Sequence, residues 1–140
     1  MCGITGIYRF KTRQPVTEDE IRRMGAVIGH RGPDGDGVFV DGALGLGHKR
    51  LSIIDVSERS NQPMRSSCGR YTLAYNGEVY NYLELREPLR QRGMNFRTES
   101  DTEVILNGLI AEGEQAVANF NGMFAYAFWD SQQQRLVLTR

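Results

Sequence analysis

Neither sign of charge is in excess: seventeen Lys and Arg residues balance seventeen Asp and Glu residues over 140 positions. No net field therefore points to nucleic acid, an anionic membrane or an acidic polymer, and a small-molecule substrate suits this neutrality better. Long hydrophobic runs are also missing. The most apolar stretches, such as Met123 to Trp129, fall far short of the ~20 residues that span a bilayer, and the N-terminus has no basic-then-apolar signal pattern. The expectation is a cytoplasmic protein with no membrane and no nucleic-acid partner. Cysteine is scarce, with Cys2 and Cys68 alone, and a single pair in a chain without a secretion signal reads as two free thiols. Histidine is as scarce, and His30 and His48 without a third ligand make a poor metal site, so no metal is expected and both read as structural hydrogen-bonding residues. No Gly-rich phosphate loop occurs, which excludes ATP binding through that motif.

What is there suffices for one core. A chain with 40% hydrophobic residues is long enough to bury one and too short for two ordinary domains. Gly3 to Phe10 reads as a short strand. Thr17-x-x-Glu20 is a capping box that opens a helix with Ile21, Met24, Val27 and Ile28 on one face, ending near Gly29. Val38 to Val40 and Leu44 to Leu51 read as strands of a hairpin, with Asp41-Gly42 favouring a type I′ turn. Ser57 to Ser67 is polar and holds Pro63, so it reads as a long loop. Tyr71 to Tyr75 alternates as a strand, and Tyr82 to Arg92 is helical in composition despite Pro88, which costs about 3 kcal/mol in a helix interior. Ser100 to Glu103 is a second capping box, opening a helix through Ile110. Met123 to Asp130 and Arg135 to Thr139 read as two further strands. Elements in this order imply an α+β domain with largely antiparallel sheets and helices on their faces.

The chemistry starts at position 2. Removal of Met1 would leave Cys2 with a thiol and a free α-amino group on one residue, a nucleophile beside its own base. An amine of ordinary pKa near ~7.7 to 8.0 accepts a thiol proton around neutrality, and the pairing suits acyl transfer. An isolated Met-Cys pair is better explained by a small buried hydrophobe, so the catalytic reading of Cys2 depends on the rest of the chain. Five segments support it, in order: Met1-Cys2-Gly3-Ile4, His30-Arg31-Gly32-Pro33-Asp34, Gly47-His48-Lys49-Arg50-Leu51-Ser52-Ile53-Ile54-Asp55, Asn76-Gly77-Glu78-Val79-Tyr80-Asn81 and Ser100-Asp101-Thr102-Glu103-Val104-Ile105. Together they resemble the glutaminase domain of class II amidotransferases, over nearly the whole chain. Arg-Leu-Ser-Ile-Ile-Asp with Gln62-Pro63 after it, and the Asn-Gly-Glu-x-Tyr-Asn form, resemble the glutamine-hydrolysing asparagine synthetases within that class.

The resemblance implies a layered αββα N-terminal-nucleophile hydrolase fold and glutamine as substrate. It implies Cys2 as nucleophile, with the Asn76 side-chain amide and the Gly77 backbone N–H as oxyanion donors. It implies Arg50, Leu51, Ile53, Glu78 and Asp101 as substrate-binding residues. Arg50 would grip the α-carboxylate through its planar fork, while Glu78 and Asp101 would take the α-ammonium. Asp101 also reads as an ordinary helix N-terminal charge, and Asn76-Gly77 as an ordinary turn. Lys49 is expected to face solvent, and Cys68 is assigned no role. No cofactor is implied for this half; ATP and Mg are expected only for a synthetase domain that would lie beyond it. The domain, residues 1–140, is expected to continue past Arg140, leaving the Leu136 to Leu138 strand an unprotected edge that associates or frays. Implied partners are L-glutamine, that synthetase domain and, as a possibility of the class, a second copy of the chain. Two alternatives stay open: a catalytically silent glutamine-binding module, or a glutaminase serving a different ammonia acceptor.

Overall fold

Two glycines on one strand decide how the first layers meet. The strand Leu44–Arg50 (β3) lies between Gly3–Tyr8 (β1) and Gly35–Asp41 (β2), antiparallel to both. A Cβ on Gly45 would come within 2.7 Å of Ile21, and one on Gly47 within 2.4 Å of Thr5 Oγ1 and 2.7 Å of Ile21 Cγ2. Their bare backbone lets the helix Glu18–Val27 (α1) seat Ile21, fully buried, directly on this sheet. The structure is a computed structural model and describes residues 2–140, so the fate of Met1 lies outside the described residues.

The second sheet orders Met64–Arg65 (β4), Tyr71–Val79 (β5), Gly122–Asp130 (β6) and Arg135–Thr139 (β7), again antiparallel. Leu44 and Leu46 from β3 pack against Ala74, Ala127 and Trp129 from β5 and β6, with Ile4, Tyr8, Phe39 and Leu136 around them. That cluster is the seam between the sheets. On the far face, Leu73, Tyr75, Val79, Tyr126 and Phe128 meet Ile105, Leu106 and Leu109 of the helix Asp101–Glu112 (α3). The helix Tyr82–Gln91 (α2) packs beside α3. The layers therefore run helix, sheet, sheet, helices, the expected αββα arrangement. Each large side chain fully buried in the two clusters contributes about 1.5–3 kcal/mol. No helix among the described residues is long and apolar enough to cross a membrane.

Local sequence explains most of the elements. Thr17 accepts from Glu20 N at 3.3 Å while Glu20 Oε2 takes Thr17 N at 3.0 Å, the reciprocal box that starts α1. The turn between β2 and β3 differs from expectation. Its central residues are Gly42 and Ala43, and of these only Gly42 has a positive φ, +54°, whereas a type I′ turn needs both; glycine in the first place is the II′ pattern. At Ser100 the box is only half made. Ser100 Oγ accepts from Glu103 N, but the Glu103 carboxylate turns away to Arg97 N at 2.9 Å, Thr98 N at 2.7 Å and Thr98 Oγ1 at 2.8 Å. Three donors outcompete the single cap N–H. The segment 57–67 is not all loop, because Met64–Arg65 pairs with Leu73 and Thr72. Pro88 sits inside α2, where the carbonyl it leaves unpaired belongs to exposed Glu84 and is open to water.

Candidate active site

Hydrogen-bond alternation along β5 makes the site. Tyr75 N donates to Gln62 Oε1 at 2.6 Å and Tyr75 O receives His48 Nε2 at 2.9 Å, so Tyr75 spends neither group on β6. Alternation then turns the odd residues of β5 away from β6. Ser66 N to Tyr71 O, at 2.9 Å, and Val79 N to Asp101 Oδ2, at 3.2 Å, obey the same rule. Gly77 falls between Tyr75 and Val79, past the end of β4, and among the described residues no partner faces its N–H. The residue must be glycine for space: a Cβ there would stand 2.3 Å from Met123 O and 2.5 Å from Phe124 Cα.

A cavity of about 130 Å³ opens over this strand and collects residues from distant parts of the chain. Cys2, Arg50, Leu51, Ile53, Asn76, Gly77, Glu78 and Asp101 all line it, so every expected site residue comes together there. Cys2 is tied down at both ends. Its Sγ receives Leu51 N at 3.3 Å and lies 3.6 Å from Leu51 O, and its carbonyl accepts Arg31 Nε at 3.0 Å. Asp34 braces the next turn by accepting Ser52 N at 2.8 Å. The His-Arg-Gly-Pro-Asp segment thus holds Cys2 and the strand end beside it.

Arg50 differs in its engagement from what the sequence implies. It is buried, and its guanidinium already serves the adjoining loop, donating to Ser57 O and Asn61 Oδ1 at 2.9 Å each and to Asp55 O. Nε and one Nη2 hydrogen remain without a partner among the described residues, enough for one carboxylate. Asp55 pins the loop in turn: hydrogen bonds from Ser57 and from Glu99 N, at 2.7 Å, hold its carboxyl well below the usual carboxylate range.

Asp101 is 5% exposed and has no cation beside it among the described residues. Burial raises its pKa, against the hydrogen bonds that Tyr75 Oη, at 2.8 Å, and Val79 N give to Oδ2. Glu78 lines the same cavity from an exposed position. The Asn76 Oδ1 is buried with no partner among the described residues. A buried carboxylate without a cation among the described residues is costly unless a ligand supplies one.

Seven further lining residues, Ile54, Ser60, Gln62, Tyr75, Ser100, Thr102 and Met123, receive no site role from the sequence. Gln62 had a signal, the Gln-Pro pair, and it links Tyr75 N to Thr102 Oγ1, the latter at 3.4 Å. His48 is a buried hydrogen-bonding residue as expected; burial lowers its pKa from 6.5 to about 4. His30 is exposed and makes no hydrogen bond among the described residues, since the turn Gly29–Arg31 carries it outward. Lys49 does not face open solvent: it lies half-buried beneath α1, with Nζ 3.7 Å from Asp36. Cys68 stays outside the cavity, exposed, its thiol pKa lowered by the Ser66 hydroxyl.

The profile of the glutamine amidotransferase domain matches residues 1–140. Asparagine synthetase [glutamine-hydrolyzing] 1 of Bacillus subtilis is 43% identical over 138 residues, which are 97% of this chain and 22% of that protein. Asparagine synthetase B [glutamine-hydrolyzing] of Escherichia coli is 35% identical over 140 residues, 100% of this chain and 25% of that protein. The chain therefore spans a quarter or less of these curated relatives. Among solved structures, a glutamine phosphoribosylpyrophosphate amidotransferase from B. subtilis, complexed with ADP and GMP, superposes with a TM-score of 0.75. It is 21% identical, and the match covers 94% of this chain and 35% of that one; the likeness is one of fold.

Proposed function

Because the chain belongs to the glutamine amidotransferase domain family, we propose that its cavity hydrolyses the side-chain amide of L-glutamine through Cys2, the ammonia serving a synthetase domain that amidates aspartate with ATP. The observation that carries the reading is one of charge. A thiol, a buried guanidinium with donors to spare and a carboxylate buried with no cation beside it among the described residues line one cavity, which complements an amino acid whose side chain reaches a nucleophile. Arg50 takes the α-carboxylate, Asp101 and Glu78 take the α-ammonium, and Leu51 and Ile53 flank the methylenes. The names of the relatives support the asparagine-forming acceptor.

The donors present dictate the steps. With Met1 removed, the Cys2 amine accepts the thiol proton, and Sγ, aimed by Leu51 N–H, attacks the amide carbon. The carbonyl π electrons move to oxygen, where the Gly77 N–H and the Asn76 amide meet the charge; loss of one such donor typically costs ~10²- to 10³-fold in kcat. The aminium then protonates the nitrogen, the C–N bond breaks and ammonia leaves a γ-glutamyl thioester. Water, deprotonated by the same amine, attacks the thioester; the C–S bond breaks, and glutamate and the thiol return. None of these steps calls on a cofactor; ATP and Mg serve the synthetase half. The setting is the cytoplasm, where both cysteines remain the free thiols seen here.

The test is stoichiometric. The chain lacking Met1, given L-glutamine, should release glutamate and ammonia in equal amounts, and Cys2→Ala should abolish release. In a protein carrying both halves, the same substitution should stop glutamine-dependent asparagine formation and spare formation from free ammonia. Turnover surviving in Cys2→Ala, or loss of both activities, would overturn the assignment.

A further inference from the structure

Asp101 has two carboxylate oxygens with different employments. Oδ2 accepts both Tyr75 Oη at 2.8 Å and Val79 N at 3.2 Å, while the residue lines the cavity without a cation. Carboxylates turn easily about χ2, a broad two-fold torsion, so something must fix which oxygen faces the ligand. Backbone attachment comes from the Val79 N–H, a longer contact, and from the Thr102 N–H. The phenol adds the one side-chain hydroxyl.

Tyr75 is well suited to give that direction. Its ring is 2% exposed in the cluster between the second sheet and α3. Its N–H is held by Gln62 and its carbonyl by His48, so strand β3, the segment before β4 and strand β5 together locate one hydroxyl. Nothing in the bond-making of glutamine hydrolysis uses that hydroxyl, and burial together with the charge of Asp101 raises the Tyr75 pKa far above the usual tyrosine value, keeping it a donor.

We infer that Tyr75 is a positioning residue for glutamine recognition: its hydroxyl anchors Asp101 Oδ2 and so presents Oδ1 to the substrate ammonium. The inference rests on the reading of the cavity as a glutamine site. The charged and titratable groups that share the cavity with Asp101 are Glu78 and Tyr75 from β5, Arg50 from β3 and Cys2 ahead of β1. Of these, Glu78 and burial disfavour the ionised carboxylate, and the Tyr75 hydroxyl favours it. Loss of the hydroxyl should therefore loosen the carboxylate and also let it take up a proton at higher pH.

Tyr75→Phe keeps the buried ring and removes the one oxygen. Glutaminase kinetics should show KM for L-glutamine raised about tenfold with kcat within about twofold, as expected for a lost hydrogen bond to a charged group used in binding. The acid limb of 1/KM should move to higher pH, and calorimetric affinity for L-glutamine in the non-turning-over Cys2→Ala background should fall by the same factor. A structural role alone would lower the melting temperature and leave KM and its pH profile in place when measured well below melting, and that result would overturn the inference. Asp101→Asn separates this failure from that of its premise. If Asp101→Asn raises KM and Tyr75→Phe does not, only the role of Tyr75 falls; if Asp101→Asn leaves KM unchanged, the ammonium site itself has been misplaced.

Discussion

The two halves of the sandwich contribute to the site in opposite ways. The β1-β3-β2 sheet is lightly covered: of α1, only Ile21 and Gly25 are buried. It brings Cys2 and Arg50 to the cavity. The β4-β5-β6-β7 sheet is backed by a helix in which Asp101 through Leu109 are all buried; the sheet brings Asn76, Gly77 and Glu78 to the cavity and the helix brings Asp101. In the deep half the Asp101 carboxylate is held by Tyr75 Oη and Val79 N. In the shallow half Cys2 and the strand end are held by Arg31, Leu51 and Asp34.

Acid should break the seam between the halves first. His48 on β3 donates to Tyr75 O on β5, and burial lowers its pKa from 6.5 to about 4. A depressed pKa means that the unfolded chain binds the proton more tightly. Stability is then whole above about pH 6.5 and is lost as pH falls toward 4, on the order of 3 kcal/mol for this residue at ~1.36 kcal/mol per unit. Urea unfolding of wild type and His48→Gln across that window measures it; equal acid sensitivity in the two would refute the assignment.

Glycine-to-alanine substitutions should have opposite signs in the two halves. Gly47→Ala on β3 drives a methyl to 2.4 Å from Thr5 Oγ1 and 2.7 Å from Ile21, an overpacking worth about 2 kcal/mol of lost stability. Gly108→Ala on α3 meets Phe120 at 3.6 Å, an ordinary contact, and should stabilise by up to about 1 kcal/mol through helix propensity. Melting temperatures decide, and a loss at both sites would mean that the second half tolerates no more volume than the first.

Arg50→Lys sharpens the comparison at the site itself. A lysine keeps the charge but has three donors, where Arg50 gives three to Ser57 O, Asn61 Oδ1 and Asp55 O and keeps two for a carboxylate, so KM for glutamine should rise about tenfold, or ~1.4 kcal/mol, with kcat little changed. Amides of Ser57 to Asn61 should exchange faster. Faster exchange with an unchanged KM would make Arg50 a loop staple only.

The sequence makes the shallow half more legible than the deep one. The Thr17 box, the Gly3 strand and the hairpin around Gly42 are short-range signals that tertiary context left in place. Strand β5 reads only to Tyr75, because Asn76-Gly77-Glu78 has turn composition; pairing of Gly77 with Phe124 and Val79 with Gly122 carries the strand to Val79 regardless. Strand β4 is hidden by Pro63 and polar neighbours. The residues of the site are legible as motifs, yet their partners are not. That Arg50 spends donors on its own loop, or that Asp101 leans on Tyr75, depends on which segments meet across the fold, and no spacing in the sequence encodes it.

The bare backbone at Gly77 has a further consequence for genetics. Its N–H belongs to the main chain, so among the ordinary amino acids only proline could erase the donor, while any other side chain would be rejected by Met123 O and Phe124. A saturation screen at this codon would return uniform intolerance and reveal bulk alone. The chemistry of the hydrogen bond proposed for it is beyond the reach of the twenty-letter alphabet there, and an amide-to-ester exchange introduced by semisynthesis would address it, altering one atom of the strand and none of its volume.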